Sequence, residues 1–257
     1  MAPADPAMPP RSDAQVIDSW HTNAAAWTRA VREGRIESRR QVTDAAIVQA
    51  VLSCGHPAPE YPCHPPSGSS AALGAARRRL SRRPRTVLDL GCGEGWLVRA
   101  LAGHGIAGTG VDAVAALVAQ AQQAGGGSFH VLSYEAIADG ALATRADVVV
   151  ANFSLLGGTA VERLLRQVPA LLEPGGAFVM QTLHPVTACG DLPYEDGWRD
   201  GTWVGFGDEF TDPAPWYFRT VGGWVALLGR AGMRVVELRE PLHPATGKPA
   251  SILFVAQ

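Results

Sequence analysis

From Thr86 onward the sequence repeats one rhythm: a short, nearly unbroken apolar run, a turn marked by Gly or Asp, then a stretch with apolar residues every three or four positions. Unbroken apolar runs belong to strands buried on both faces, and the longer period belongs to helices laid over them. The runs place strands at Thr86–Leu90, Ala107–Val111, Ser128–Leu132, Ala146–Ala151 and Ala177–Leu183. Helices fall between them at about Gly95–Gly103, Ala113–Ala124 and Thr159–Leu172. A last helix, capped by Thr220, runs to Ala231, and strands Arg234–Arg239 and Ala250–Ala256 follow. The loop joining those two is too short for a helical crossover, so they pair antiparallel. Strand and helix alternating with short connections predict an α/β fold built on a mostly parallel sheet.

Upstream the pattern changes. Ser12 and Gln15 form a capping-box signature, and Val16, Ile17, Trp20, Trp27 and Val31 give one buried stripe to a helix running towards Gly34. A second helix runs from Thr43-Asp44 to Cys54-Gly55. The Pro, Gly and Ser density of His56–Ser70 predicts a surface linker, followed by a helix with a basic end reaching Arg83. The expected organisation is therefore a tail over 1–11, a helical cap with linker over 12–84, and a main domain over 85–257.

Composition narrows the partners. A formal net charge of −2 lacks the basic footprint that phosphate backbones require, so nucleic acid is disfavoured and a small molecule is expected. The four cysteines form no secreted disulfide framework, and no apolar run is long enough to span a bilayer, which points to a cytoplasmic monomer or homodimer. Cys54, His56, Cys63 and His64 match no zinc spacing, so no metal is expected. The arginines at 77–79, 82, 83 and 85 are read as a solvated helix end.

The chemistry concentrates after the first strand. Val87-Leu88-Asp89-Leu90-Gly91-Cys92-Gly93-Glu94-Gly95 is a strand feeding a glycine-rich turn into a helix, and the second strand closes on Asp112. Backbones approach nucleotide-like ligands through such turns. The dinucleotide fingerprint needs a third glycine where Trp96 stands, and carboxylates at Asp89 and Glu94 would repel a pyrophosphate. A cationic, phosphate-free ligand suits the turn better. Asp112 equally suits the cap of the following helix, Asp89 could be a satisfied structural carboxylate, and Cys92 reads as small buried packing.

These motifs, D-L-G-C-G-E-G, the acidic end of strand two and L-x-P-G-G before strand five, resemble class I S-adenosylmethionine-dependent methyltransferases. The resemblance implies a Rossmann-like seven-stranded sheet of order 3-2-1-4-5-7-6 with an antiparallel last strand. It implies S-adenosylmethionine as cofactor, Asp112 on the ribose hydroxyls, Gly91, Cys92 and Gly93 along the methionine portion, and Asp89 near its amino group. Ser133, Tyr134 and Glu135 would contact adenine, and Asn152-Phe153 would lie beside the methionine. The flanks, W-x-x-N-A-x-x-W, A-V-R-x-G-x-I-x-S-R-R and E-P-L-H-P-x-T-G-x-P-A-S, are similar to a narrower bacterial group of methyltransferase-domain proteins that names no substrate. Helices preceding such domains often close over the cofactor. Arg39 is the candidate to pair with the methionine carboxylate, and Trp27 is either lid or core.

His184 follows strand five at the carboxyl edge, where open α/β sheets bind ligands, and is a candidate base or substrate contact. His243 is read as structural. The segment 184–219 holds eight of the eighteen aromatics and reads as a lid, with Trp198, Trp203, Trp216 and Tyr217 as candidate acceptor contacts. Its seven acids against two arginines leave open either a cationic acceptor or a solvated rim. The expected activity is methyl transfer to a small-molecule acceptor. The alternatives are an NAD(P)-binding oxidoreductase and a non-catalytic S-adenosylmethionine-binding protein.

Overall fold

The computed structural model describes residues 10–54 and 83–257. The linker and basic helix expected between them, and the metal-like set apart from Cys54, lie outside these residues. The chain opens with α1 (Asp13–Arg32), capped where the Gln15 side chain accepts the Ser12 N–H at 3.0 Å. A π-helical turn (Arg39–Thr43) leads into α2 (Asp44–Ser53). The alternating part follows: β1 (Thr86–Leu90), α3 (Trp96–Ala102), β2 (Ala107–Asp112), α4 (Ala115–Ala124), β3 (Ser128–Val131), α5 (Tyr134–Ala138), β4 (Ala146–Asn152) and α6 (Thr159–Gln167). Next come β5 (Leu172–Thr182), α7 (Pro185–Ala188), the short strands β6 (Gly197–Arg199) and β7 (Trp216–Phe218), α8 (Val221–Arg230), β8 (Val235–Arg239) and β9 (Ile252–Ala256).

Seven strands form one sheet in the order β3-β2-β1-β4-β5-β9-β8, and β6 pairs with β7 in a separate hairpin. The first five are parallel neighbours, while β9 runs antiparallel between β5 and β8. With the hairpin set aside this is the expected order 3-2-1-4-5-7-6. The architecture is that of a Rossmann-like sheet with one antiparallel strand.

One face of the sheet is packed by α6 and α8, with Leu88, Leu164, Phe178, Leu228 and Phe254 fully buried between them. The other carries α2 and α3, with Ile47, Val51, Leu97 and Leu101 against Val148, Val179 and Leu253. Burial on both faces is why the strand sequences show no polar alternation.

Several boundaries differ from the sequence reading for local reasons. The helix after β2 starts two residues late, because the Asp112 carboxylate accepts the Val114 N–H at 2.9 Å and holds a turn. Pro169 converts the end of the helix before β5 into a 3-10 turn, Val168–Leu171. The Pro174-Gly175-Gly176 turn lies inside β5, beside a register shift between Ala146 and Val148 of β4. On α1, the expected Trp20, Trp27 and Val31 are half-buried, whereas Ser19 and Asn23 are buried. Those two polar residues bond the backbone of the 200–212 loop. Among the described residues no helix is long and apolar enough to cross a membrane.

Leu164 is fully buried at the centre of the α6 face. Leu164→Ala should cost about 2–5 kcal/mol, the range for a buried leucine truncated to alanine, measurable as a lower urea midpoint with unchanged slope.

Candidate active site

The turn after β1 is held by its own backbone. The Gly91 and Cys92 N–H groups donate to the Val111 carbonyl at 2.8 and 3.0 Å, and Gly95 N–H donates to the Cys92 carbonyl at 3.0 Å. Gly93 N–H donates to the Asp112 carboxylate at 2.8 Å. Gly91 and Gly93 both have positive φ, +77° and +56°, where a side chain is strained. Gly91 answers a packing constraint as well: a Cβ there would sit 2.4 Å from the Ser154 Cβ and 2.6 Å from the Tyr134 hydroxyl oxygen. At Gly93 the nearest atom to such a Cβ is the Trp27 indole nitrogen, at 3.6 Å. The open side of the turn is therefore the one under α1.

Asp89, at the end of β1, is 2% exposed, and its Oδ1 has no hydrogen-bond partner among the described residues. Burial, with a smaller contribution from the Asp112 charge, pushes its carboxyl up to about 8. Burial also raises Asp112, against the two backbone N–H groups that favour its ionised form. Each Asp112 oxygen accepts one such bond and keeps acceptor capacity. Glu94, expected to add to the negative field, is instead neutralised: its Oε2 meets Arg99 and Arg32, the latter at 3.3 Å from α1.

Arg39 lies 8% exposed on the π-helical turn. Its Nε and Nη2 pair with the Asp44 carboxylate at 2.9 and 3.2 Å, and Nη1 is buried without a partner. The guanidinium sits 4.5 Å from the Trp96 ring and 5.8 Å from Trp27. Arg39, Trp27 and Gly93 thus form one contiguous layer over the turn. Cys92 is packed among Val98, Val118, Ala121 and Phe129, with its thiol raised chiefly by burial, which makes it inert.

Residues from the other strand ends close the cradle. Ser133 caps α5 by accepting the Ala136 N–H at 3.2 Å. The Tyr134 hydroxyl lies 3.3 Å from the Leu90 carbonyl and 3.2 Å from that of Ser154, so it pins the underside of the turn. Phe153 has φ +53°, rare for a bulky residue, with its N–H held by the Gln181 carbonyl at 2.8 Å. Asn152 accepts from Gln181 Nε2 at 2.9 Å, which also donates to the Thr43 carbonyl at 3.0 Å. Gln181 thereby ties the helical cap to the ends of β4 and β5. Its one sequence signal was a lone amide within an apolar strand.

His184 is buried past β5, its Nε2 2.7 Å from the Glu240 carboxylate and its Nδ1 without a partner. The chain neighbours Leu183 and Pro185 line a narrow cleft with Trp216 and Tyr217, and Trp198 meets Tyr217 edge to face at 5.5 Å. Trp203 belongs elsewhere, in a cluster with Trp20, Phe206 and Phe210 against α1. Three of the seven acids of this segment are committed: Asp200 pairs with Arg11, Glu209 with Arg29 and Arg35, and Asp196 accepts from Thr220.

The "Methyltransferase domain" family model matches residues 69–238, and the chain belongs to that family. An S-adenosylmethionine-dependent methyltransferase of Mesorhizobium loti is 25% identical, covering 67% of this chain and 90% of its own, with a TM-score of 0.52. The 1,6-didemethyltoxoflavin-N1-methyltransferase of Burkholderia thailandensis, solved with 1,6-didemethyltoxoflavin and S-adenosylhomocysteine, shares the fold. It is 18% identical over 98% of this chain and 92% of its own, with a TM-score of 0.58. Among curated proteins no sequence matches. The fold is that of class I S-adenosylmethionine-dependent methyltransferases, and S-adenosylmethionine is the cofactor. The turn fits it: a buried carboxylate lacking a donor and a buried guanidinium N–H lacking an acceptor suit a zwitterion.

Asp89 makes folding pH-dependent. Its folded pKa lies above the ordinary carboxylate value, so it stabilises fully below about pH 4 and that contribution is lost as pH rises towards 8. Asp89→Asn should remove this slope, so the gap in urea midpoint between variant and parent should shift in favour of the variant from pH 5 to pH 8 (, roughly the window between the two pKa values).

Proposed function

We propose that the protein transfers a methyl group from S-adenosylmethionine to a small-molecule acceptor by in-line displacement. The observation that carries this is the imbalance at the first turn. The N–H groups of Gly91, Cys92, Gly93 and Gly95 are spent on internal acceptors, while Asp89 Oδ1 lacks a donor. A pyrophosphate needs free N–H groups there, and an ammonium needs a free acceptor.

In this reading Asp112 uses its remaining lone pairs on the ribose hydroxyls, and Asp89 receives the amino group. Arg39 Nη1 meets the methionine carboxylate, and Trp27 closes over Gly93. Gly91 and Cys92 line the methionine portion, with Asn152 and Phe153 at its far end. Ser133 borders the adenine. Tyr134 acts from below, by fixing the turn.

The sulfonium supplies the reactivity, since its methyl is already activated for displacement. The chain's residues position the acceptor roughly 3 Å from that carbon and exclude water. Where the acceptor loses a proton, His184 is the base. Glu240 accepts the Nε2 proton and leaves Nδ1 as the basic nitrogen.

Calorimetric titration with S-adenosylhomocysteine, NAD and NADP tests the donor site. The first alone should bind, at micromolar level, and Asp112→Ala should weaken it at least tenfold (about 1.4 kcal/mol). Binding of a dinucleotide instead would overturn the proposal. Because the ammonium needs an ionised Asp89, S-adenosylhomocysteine affinity should also rise between pH 6 and pH 8 (, roughly up to the raised pKa), and Asp89→Asn should flatten the profile.

A further inference from the structure

The ends of β4 and β5, with α7, β7 and α8, enclose a narrow cleft walled by Leu155, Pro185, Trp216, Tyr217 and Trp224, and Arg219 is part of its lining. Its open volume is about 10 Å³, space for about one water. Arg219 is 3% exposed, a buried cation that the donor site does not use. Nη1 and Nη2 donate to the Gly157 and Gly158 carbonyls, each at 2.9 Å. The guanidinium carbon lies 4.5 Å from the Tyr217 ring and 4.9 Å from Trp224. Burial lowers its pKa.

A buried charge is costly unless an opposite charge meets it. The charges of Glu162, Asp196 and Asp13 act on Arg219 from a distance, while their oxygens have other partners: Asp13 accepts from Gly158 N–H and Ala160 N–H, Asp196 from Thr220, and Glu162 faces Arg166 at 4.0 Å. Among the described residues no carboxylate lies within ion-pair distance of Arg219. Two carbonyl bonds leave other N–H donors of the five on a guanidinium.

Resting on the methyl-transfer reading of the neighbouring site, we propose that this cleft is the acidic-group subsite of the acceptor. A carboxylate enters the mouth of the cleft and meets Arg219, while the planar body of the acceptor lies outside, against Trp216 and Tyr217. The planar guanidinium fork suits a carboxylate, and the rings suit an aromatic or conjugated body. The acceptor class is then an aromatic carboxylic acid, not an amine.

The test is titration of the S-adenosylhomocysteine-saturated protein with benzoate, 4-hydroxybenzoate and indole-3-acetate, each beside its neutral amide, on the parent, Arg219→Gln and Arg219→Lys. At least one acid should bind ten times or more tightly than its amide. Arg219→Gln should erase that difference, and Arg219→Lys should keep part of it. Amide binding serves as the control for a disturbed cleft, because a merely structural role weakens acid and amide alike. Saturation with S-adenosylhomocysteine, verified first, separates failure of the donor-site reading from failure of this one. Equal binding of acids and amides, no binding by any acid, or an acid preference that survives Arg219→Gln would each overturn the proposal.

Discussion

The interaction on which the site depends is the one between the Asp112 carboxylate and the backbone on either side of it. One oxygen holds Gly93 N–H and the other holds Val114 N–H, so a single side chain fixes both the turn after β1 and the start of the helix after β2. The first of these bonds takes one N–H of the turn, the Val111 and Cys92 carbonyls take those of Gly91, Cys92 and Gly95, and Asp112 brings a second acidic group beside Asp89. The cost of burying the two carboxyls is borne by the fold, and it falls when a cation is supplied. The turn is thus built with two buried carboxyls side by side and its backbone donors already engaged.

The helical cap and the lid form one cover. Arg32 of α1 reaches Glu94 at the turn, and Trp27 lies above Gly93. The same helix holds the 200–212 loop through the reciprocal bonds between Asn23 and Thr211 and through Arg29 on Glu209, which Arg35, just past the helix, also meets. Both arginines meet the one carboxylate of Glu209. Exposed pairs of this kind are individually weak, so the aromatic cluster of Trp20, Trp203, Phe206 and Phe210 supplies most of the adhesion.

The strands were legible because burial on both faces leaves an unmistakable apolar run, their order came only with the family resemblance, and the glycine turn was legible because positive φ restricts the residue choice. The hairpin of β6 and β7 was not, since three-residue strands carry too few alternations to register. Arg219 and Gln181 escaped because each acts through backbone carbonyls of distant segments, a partnership with no spacing in sequence. For Tyr134, position along the chain says where the ring stands, and only packing says that its hydroxyl meets the Leu90 carbonyl. Glu94 misled for the same reason, because its charge was countable while the arginines around it were dispersed.

The contacts between α1 and the lid join residues 174 to 193 positions apart. Loop closure over such a span is entropically expensive and late. During synthesis the first helix therefore emerges long before its polar stripe has anything to bind, and Ser19 and Asn23 wait exposed until the sheet has formed. The contacts that seat this helix on the 200–212 loop therefore form after the sheet and its glycine turn.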